Sequence, residues 1–343
     1  MYKLAINGFG RIGRSAFKVA IDKHSSEIEI VGINDLTSPT VLAHLLKYDS
    51  VYGLYNHEVG SDAQNVIVDG KKFRVYAEKD PTALPWGQLG VDIVIESTGR
   101  FTDLEGASAH IKAGAKRVVI SAPAKGEGVG TYLIGVNAQN DSGQQRVINN
   151  ASCTTNCIAP VAAVMSAKFG ILKAMMTTVH SVTAEQNLVD GPPPGGKSTD
   201  LRRARAAYVN IIPTTTGAAV ATTEAIPELK GLFDGASLRV PTICGSISDF
   251  TFLVKTKVTV EDVNNAFKEA AQTPLLKGVL AFSEEPLVSS DIIGRTESAV
   301  VDLFLTKVVD GDMVKVFAWY DNELGYSHRL VEQVIHAASL IKT

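Results

Sequence analysis

Cysteine, charge of one sign and long apolar runs are all scarce in this chain. Three cysteines among 343 residues are too few for a disulfide framework and fit a reducing compartment. The 33 basic and 36 acidic residues give a net charge of −3, which argues against nucleic acid or an anionic membrane as a partner. No apolar run approaches the length of a membrane span, and the start lacks a signal-peptide pattern. The sequence predicts a cytoplasmic protein whose length allows two domains.

The first motif is a glycine-rich turn between a predicted strand and a predicted helix. Residues 3–7 form the strand, Gly8-Phe9-Gly10-Arg11-Ile12-Gly13 follows, and apolar residues recur at helical spacing from 14 to 23. A second strand, 27–33, ends just before Asp35. In this context the glycines let the backbone approach a pyrophosphate, and the carboxylate binds an adenosine ribose and repels a 2′-phosphate. We therefore expect NAD rather than NADP, the alternative being a tight turn with a surface aspartate.

The alternation of strands and helices continues through the first half of the chain. The predicted elements are strands at 73–77, 91–96 and 117–120 and a helix at 104–113. This pattern indicates an α/β fold with a doubly wound (Rossmann) sheet. Ser97-Thr98-Gly99 and Ser121 lie just past strand ends, where such sheets bind ligands, although either segment is equally compatible with an ordinary turn.

The second half has a different pattern, rich in strands. The predicted strands are 172–179, 237–240, 247–258, 299–309 and 313–320. Asp310-Gly311-Asp312 reads as a hairpin turn, and Thr259-Val260-Glu261-Asp262 as a capping box that starts a helix. We expect an α+β catalytic domain with a mostly antiparallel sheet. The predicted boundaries are 1–152, completed by a C-terminal helix within 321–343, and 153–320; the alternative is that this helix lies on the surface of the second domain.

Cys153 has the setting of a covalent nucleophile. It lies in Ala151–Cys157, where a helical segment begins, and His180 ends a β-branched run further along the chain. A helix N-terminus and a nearby imidazole both favour thiolate over thiol. On its own, His180 would be interpreted as a structural histidine at a strand end. Cys157 and Cys244 are expected to be buried structural thiols, and no metal site is expected because no cluster of ligand spacing accompanies them.

The segment Gly191–Lys197 is rich in proline and glycine, so it is neither helix nor central strand. It is either a flexible linker or an ordered loop over the active site or at a subunit contact.

From end to end, the chain resembles phosphorylating glyceraldehyde-3-phosphate dehydrogenases. The matching segments are Asn7–Arg14, Ala43–Ser50, Glu96–Phe101, Ser121–Pro123, Ala151–Cys157, Asp200–Arg205, Pro213–Ala219, Arg239–Thr242 and Tyr320–Glu323. The resemblance implies that Cys153 attacks the aldehyde of glyceraldehyde 3-phosphate and that His180 acts as the base. Inorganic phosphate would then release 1,3-bisphosphoglycerate from the thioester. The resemblance also implies a homotetramer.

The same resemblance assigns binding roles to further residues. The substrate phosphate would be held by Thr183 and Arg239. The attacking phosphate, or the substrate phosphate in passing, would be held by Ser152, Thr154, Arg203, Thr216 and Gly217. The NAD contacts would be Gly8, Gly10, Arg11, Ile12, Asp35, Lys79, Ser97, Thr98, Gly99, Ser121, Asn322 and Tyr326, of which Asn322 would bind the nicotinamide carboxamide and Tyr326 would pack near the nicotinamide.

Several positions depart from the family pattern. Glu185 stands where an aspartate is usual, and Val182 where an aromatic residue is usual. Leu324 and His328 replace a tryptophan and an asparagine, and Gly191 replaces a bulkier apolar residue. These departures concern substrate affinity, cofactor stringency and subunit contacts, while the nucleophile and the base are retained.

Three other functions compete with this interpretation. The nearest is erythrose-4-phosphate dehydrogenase, which hydrolyses its thioester, whereas Pro213–Gly217 and the pair Ser152 and Thr154 favour a phosphate acceptor site. The second is a nucleotide-binding scaffold without turnover. The third is a thiol hydrolase or acyltransferase, which would leave the first domain without a role.

Overall fold

The computed structural model describes residues 1–192 and 200–341, which form two compact units. One unit comprises Met1–Ser152 and the C-terminal segment from Ser327, and the other comprises Cys153–Tyr326. From Pro193 onward, the loop 191–197 lies outside the described residues, so its predicted roles stay predictions. Among the described helices, none has both the length and the apolar character that a membrane span requires.

The first unit is built on a nine-stranded sheet in the order β10-β11-β9-β8-β1-β2-β7-β6-β5. Its strands, with a separate two-stranded pair β3 and β4, are β1 (Tyr2–Asn7), β2 (Ile28–Asn34), β3 (Tyr48–Asp49), β4 (Gly53–Leu54), β5 (Val59–Ser61), β6 (Asn65–Val68), β7 (Lys71–Tyr76), β8 (Ile93–Glu96), β9 (Arg117–Ile120), β10 (Gly130–Thr131) and β11 (Val147–Asn149). Its helices are α1 (Arg11–His24), α2 (Pro39–Lys47), α3 (Trp86–Leu89) and α4 (Leu104–Lys112). The strands from β10 to β7 are parallel, which confirms the predicted Rossmann sheet.

Burial on both faces explains why β1 lies at the centre of this sheet. Leu4, Ala5 and Ile6 are all fully buried, as expected for a parallel strand covered on both sides. The parallel register places Asn7 at the end of β1 opposite Asn34 at the end of β2 and Glu96 at the end of β8. Three polar side chains therefore meet at the carboxyl edge of the sheet.

The second unit contains an eight-stranded sheet in the order β13-β14-β12-β15-β19-β17-β16, with β18 also paired to β19. The strands are β12 (Ile171–His180), β13 (Ile212–Thr214), β14 (Phe233–Arg239), β15 (Ser246–Val254), β16 (Leu280–Ser283), β17 (Ala299–Asp302), β18 (Lys307–Val309) and β19 (Met313–Tyr320). The α-helices described in this unit are α5 (Cys153–Phe169), α6 (Ala218–Ala225) and α7 (Val260–Ala271). Helix α8 (Leu324–Ser339) starts in this unit and lies in the first unit from Ser327 onward. Among the described strands of this unit, only β12 with β14 and β16 with β17 pair in parallel. The sheet is thus mixed and mostly antiparallel, as predicted.

The predicted strand 299–309 is wrong as a single element. Val301 pairs with Ala318, and Lys307 pairs with Lys315. Between these two pairs lie five residues of the predicted strand, 302–306, but only two residues of β19, 316–317. The surplus residues form a 3-10 turn at Leu303–Leu305 that separates β17 from β18. The predicted hairpin beyond it is present, because Asp310 and Gly311 both adopt positive φ, 47° and 74°.

The predicted capping box of α7 is confirmed. The Thr259 hydroxyl accepts a hydrogen bond from the Asp262 N–H at 3.1 Å, and the Asp262 carboxylate accepts one from the Thr259 N–H at 2.8 Å. These bonds satisfy two groups that a helix start would otherwise leave unpaired.

His57 lies between two carboxylates at the surface of the first unit. His57 Nδ1 lies 2.5 Å from the Asp69 carboxylate, and His57 Nε2 lies 3.1 Å from the Asp22 carboxylate of α1. Tyr55 donates to the same Asp22 carboxylate at 2.7 Å. The hydrogen bond that His57 donates to the Asp69 carboxylate raises the pKa of His57, because it favours the imidazolium, and the Asp22 charge acts in the same direction.

This cluster makes part of the stability depend on pH. A raised folded-state pKa means that the contribution is fully present below the unfolded pKa of about 6.5 and is lost as the pH rises through the folded value. We expect His57→Gln to lower the unfolding temperature at about pH 5 and to have little effect at about pH 9. The control is His44→Gln, since no carboxylate pairs with the exposed His44 in the described ranges. A His57→Gln deficit that grows with pH would contradict the assignment.

Candidate active site

Cys153 is the first residue of α5, where the backbone turns sharply from strand into helix. Two residues earlier, Ala151 adopts φ 50°, a left-handed conformation unusual for a residue with a Cβ. Its N–H donates to the Asn149 side chain at 2.9 Å. Backbone strain of this kind is concentrated at functional sites. The sequence prediction that a helix begins at the cysteine is confirmed.

The Cys153 sulfur lies 3.4 Å from Nε2 of His180. His180 is the last residue of β12 and is buried. Its Nδ1 lies 2.6 Å from the carbonyl oxygen of Ser181, so Nδ1 carries the proton and donates it. The free lone pair is then on Nε2, which faces the sulfur. This arrangement allows the imidazole to accept the thiol proton.

Loss of solvent favours the uncharged form of both members of this pair, of which His180 is buried and Cys153 partly buried. It raises the pKa of the Cys153 thiol to about 11, while the charge of Arg239 and hydrogen bonds from Thr154 act in the opposite direction. Burial, together with the positive charge of Arg239, lowers the pKa of His180 to about 3. The prediction that the helix start and the imidazole favour a thiolate at Cys153 stays a prediction. The contact of the sulfur with Nε2 gives the thiol proton an acceptor.

Arg239 lies beside the base because of strand register. The parallel pairing of β12 with β14 places it directly opposite His180, and its Nη1 lies 3.1 Å from His180 Nδ1. The same Nη1 donates to the Thr183 hydroxyl at 2.8 Å and to the Ser181 carbonyl at 3.3 Å. A guanidinium and a hydroxyl next to a nucleophile form an anion-binding group. The structure thus brings together the predicted residues Cys153, His180, Thr183 and Arg239.

A second basic group includes Arg203. Its Nε donates to the Thr214 hydroxyl at 3.0 Å. The Glu185 carboxylate lies 3.4 Å from Arg203 Nη1 and 3.7 Å from Arg239 Nη2, so one carboxylate joins the two arginines. Thr216 accepts from the N–H of Ala218 at 3.1 Å at the start of α6.

The remaining phosphate-site predictions have diverse surroundings. Gly217 is the N-cap of α6. Ser152 directly precedes α5 and is partly buried. The Thr154 hydroxyl is buried and lies 3.0 Å from the hydroxyl of Tyr320. Its assignment to a phosphate stays a prediction, because the hydroxyl already has this partner.

Tyr320 is the residue that sequence reasoning missed as part of this site. Its hydroxyl also lies 2.8 Å from that of Thr178, and its ring stands edge-on to the His180 ring with centroids 6.0 Å apart. The alternating burial of β19 places Tyr320 on the inward face, at the strand end. The alternation of buried and exposed residues in β19 could therefore have indicated an inward-facing Tyr320. It could not have indicated Thr154 and Thr178 as the partners of its hydroxyl.

Asn322 has a fixed orientation. Its Oδ1 accepts hydrogen bonds from the Gly245 N–H at 3.2 Å and from the Ser246 hydroxyl at 2.9 Å. Because the oxygen is used in this way, Nδ2 is the group of this side chain that can donate to a ligand. Tyr326, the other predicted nicotinamide contact, is buried within α8.

A separate pocket of about 270 Å³ lies in the first unit at the carboxyl edge of its sheet. The predicted cofactor residues that line it are Gly8, Gly10, Asp35, Lys79, Ser97 and Thr98, and the sequence missed Asn34, Leu36, Glu78, Arg100 and Phe101. The other predicted cofactor residues of this unit, Arg11, Ile12, Gly99 and Ser121, do not line it. The Arg11 guanidinium pairs with the Asp49 carboxylate at 2.9 Å.

The pocket has the features that a dinucleotide requires. Gly8 adopts φ 94°, and an added Cβ would lie 2.7 Å from the Thr98 nitrogen. At Gly10, in contrast, an added Cβ would meet nothing within 4 Å, so the turn leaves open space beside the start of α1. That helix start has no side-chain cap, which suits a pyrophosphate. Asp35 is held by the N–H groups of Phe9 and Thr37 at 2.8 and 2.9 Å.

Comparison with known proteins gives a consistent result along the chain. The family model described as "Glyceraldehyde 3-phosphate dehydrogenase, NAD binding domain" matches residues 2–104, and the corresponding C-terminal domain model matches residues 152–322. Glyceraldehyde-3-phosphate dehydrogenase of Geobacillus stearothermophilus is 54% identical over 338 residues, covering 98% of each chain. Glyceraldehyde-3-phosphate dehydrogenase 1 of Bacillus subtilis is 51% identical over 337 residues, again covering 98% of each chain.

The position of Tyr320 leads to a test of stability. Tyr320→Phe removes the partner of two buried threonine hydroxyls, so we expect the free energy of unfolding to fall by about 1–3 kcal/mol. Urea unfolding measures this change. The matched control is Tyr208→Phe, which removes an exposed hydroxyl and should change stability by less than about 0.5 kcal/mol. Equal effects of the two substitutions would show that the Tyr320 hydrogen bonds contribute nothing.

Proposed function

This chain belongs to the glyceraldehyde-3-phosphate dehydrogenase family, and we propose that it oxidises glyceraldehyde 3-phosphate with NAD and inorganic phosphate to 1,3-bisphosphoglycerate. The observation that supports this most directly is the 3.4 Å approach of the Cys153 sulfur to the His180 imidazole, next to two arginines. A nucleophile, a base and anion-binding groups are what this reaction requires of the protein.

The reaction begins with covalent attachment of the substrate. The Cys153 sulfur bonds to the aldehyde carbon while its proton passes to Nε2 of His180, which returns it to the former carbonyl oxygen. The product is a hemithioacetal with a hydroxyl group. His180 can perform both transfers because the Ser181 carbonyl keeps the Nδ1 proton in place.

Oxidation then requires the base a second time. NAD, when bound, accepts the hydride that converts the hemithioacetal into a thioester. Nε2 of His180 takes the hydroxyl proton in this step, and the nearby Arg239 disfavours an imidazolium, so the proton is readily passed on. Inorganic phosphate finally attacks the thioester carbon, the C–S bond breaks, and the leaving Cys153 sulfur takes up the proton that the phosphate loses, which restores the thiol.

Two groups of donors support the binding of two anions. We assign the substrate phosphate to Thr183 and Arg239, because the two side chains are already joined at 2.8 Å. We assign the attacking phosphate to the group of Ser152, Thr154, Arg203, Thr216 and Gly217. The fork of a guanidinium suits the oxygens of a phosphate.

The cofactor contacts are proposed for both parts of the chain. Residues 1–152, completed by 321–343, would bind NAD, and residues 153–320 would carry the chemistry. The division into compact units after Ser152 supports this assignment, as do the two family-model matches. Asp35 would bind the adenosine ribose, and Asn322 would orient the nicotinamide through Nδ2. The other contacts would be Gly8, Gly10, Arg11, Ile12, Lys79, Ser97, Thr98, Gly99, Ser121 and Tyr326.

A homotetramer is the proposed assembly. Helix α5 contacts β12, β15 and β19, and the opposite face of these strands carries Met175, which is 59% exposed, together with the partly buried Phe317 and Trp319. The same face also carries the Lys315–Asp249 ion pair. A partly exposed sheet face that combines large apolar side chains with charges suits a second copy of the chain. Light scattering tests the proposal, and the mass of a single chain in solution would contradict it.

The cytoplasm is the proposed location. The proposed reaction needs a reduced sulfur, and none of the three cysteines forms a disulfide. A reducing compartment maintains this state. Fractionation of the source cells, followed by assay of NADH formation, tests the location.

The nucleophile can be tested with a single atom change. Cys153→Ser should lower the rate of NADH formation from glyceraldehyde 3-phosphate, NAD and phosphate by about a thousandfold or more, since a serine hydroxyl is a much weaker nucleophile. Cys157→Ser, one helical turn away and outside the reacting pair, is the control and should retain turnover. Omission of phosphate should stop turnover after the thioester forms. An unchanged rate without phosphate would instead favour erythrose-4-phosphate dehydrogenase, the alternative that nothing in the comparisons supports.

Glu185 leads to a prediction about phosphate affinity. Its carboxylate lies between Arg203 and Arg239 and offsets their positive charge toward an incoming anion. Glu185→Gln should therefore lower the KM for inorganic phosphate by about two- to fivefold, and the gain should shrink at high salt. Glu185→Asp keeps the charge and serves as the control. A higher KM in Glu185→Gln would mean that the carboxylate assists binding by orienting the arginines.

A further inference from the structure

A buried polar row crosses the carboxyl edge of the Rossmann sheet. It consists of Asn34, Asn7 and Glu96, the last residues of the adjacent strands β2, β1 and β8. All three are buried, with at most 5% of their surface exposed. Burying three polar side chains side by side is costly unless every group is hydrogen-bonded. Their partners therefore indicate what the row does.

Four donors converge on the Glu96 carboxylate. Oε1 accepts from the Thr98 N–H at 2.9 Å and from the Thr98 hydroxyl at 2.5 Å. Oε2 accepts from Asn7 Nδ2 at 2.5 Å and lies 3.0 Å from His110 Nε2. In the part of the chain that the structure describes, no lysine or arginine pairs with Glu96. These four hydrogen bonds fix the position of both carboxyl oxygens of Glu96.

Trp86 determines the state of the histidine in this network. Its Nε1–H donates to His110 Nδ1 at 3.1 Å, so Nδ1 is an acceptor and the proton of the neutral ring is on Nε2. That proton points to Glu96. Trp86 and His110 are both completely buried, so the tautomer does not depend on solvent.

Both ends of the row reach the pocket. On one side Glu96 holds Thr98, which lines it. On the other side Asn7 Oδ1 accepts from Asn34 Nδ2 at 2.7 Å, and Asn34 exchanges two hydrogen bonds of 2.9 Å with the backbone of Glu78. Asn34 and Glu78 line the same pocket. Two walls of the pocket are thus connected through one buried carboxylate.

We propose that Glu96 is a positioning residue for NAD, which holds the Thr98 wall directly and the Glu78 wall through Asn7 and Asn34. The proposal rests on the proposed NAD site in this pocket. It makes Glu96 a residue that sets cofactor affinity without belonging to the lining. Trp86 and His110 act behind it, because they supply one of the four donors in a fixed tautomer.

Glu96→Gln tests the proposal with little change in volume. The amide of glutamine has an NH₂ group in place of one carboxylate oxygen. This NH₂ would face N–H or O–H donors of Thr98 or of Asn7 and His110, and these donors would lose their acceptor. We expect the Kd for NAD, measured by titration calorimetry, to rise about tenfold or more. The KM for NAD should rise in parallel, whereas kcat at saturating NAD and the KM for glyceraldehyde 3-phosphate should be unchanged.

Asp141→Asn is the matched control. Asp141 is another buried carboxylate of the same unit, bonded to the Arg117 guanidinium at 3.0 and 2.9 Å, and it does not line the pocket. Its loss should lower the unfolding temperature and leave the Kd for NAD unchanged. A Kd in Asp141→Asn that rises as much as in Glu96→Gln would overturn the proposal, because general destabilisation would then explain both.

Trp86→Phe provides a second variant if Glu96→Gln does not fold. It leaves Glu96 and His110 in place and removes the donor that fixes the His110 tautomer, together with part of the buried indole ring. It should weaken NAD binding by a few-fold in the same direction. Unchanged NAD binding in the folded variants, with normal binding by the parent, would overturn the role of Glu96. Failure of the parent to bind NAD would instead overturn the proposed function.

Discussion

The approach of the Cys153 sulfur to the His180 imidazole depends on where two elements stop. Helix α5 begins at the cysteine and β12 ends at the histidine, so both side chains project from the ends of rigid elements. The parallel register of β12 with β14 then places Arg239 beside the histidine. A shift of one residue in this register would send the arginine to the other face of the sheet. The reactive group, the base and the anion site thus follow from one arrangement of strand ends.

Burial determines the chemistry of this arrangement. Removing the pair from solvent favours neutral sulfur and neutral imidazole, and a neutral imidazole is the form that can act as a base. The cost of a neutral thiol is a weaker resting nucleophile. The Nε2 lone pair compensates, because it is held toward the sulfur by the Ser181 carbonyl on the other side of the ring. Protonation of the pair is therefore governed by the environment that the fold creates.

The sequence allowed much of the fold to be predicted, for identifiable reasons. The glycine-rich turn, the burial pattern of β1 and the capping box at Thr259 are local signals, and local signals survive folding. The prediction of one continuous strand at 299–309 was wrong because the turn that interrupts it follows from the register with β19. That register is not visible in the local sequence. Likewise the raised pKa of Cys153 depends on desolvation by residues distant in sequence. Tyr320 was missed because the two threonines that bond to its hydroxyl lie on other elements.

The two tryptophans of the chain are divided between its two units. Trp86 is buried in the first unit against His110, and Trp319 lies on β19 of the second unit, where its indole donates to Asp302 at 3.1 Å. Each unit thus carries a single tryptophan in a distinct hydrogen-bonded environment. Replacing either one by phenylalanine would leave a tryptophan emission that follows the other unit alone. The protein contains its own pair of optical probes for asking whether its two halves unfold together.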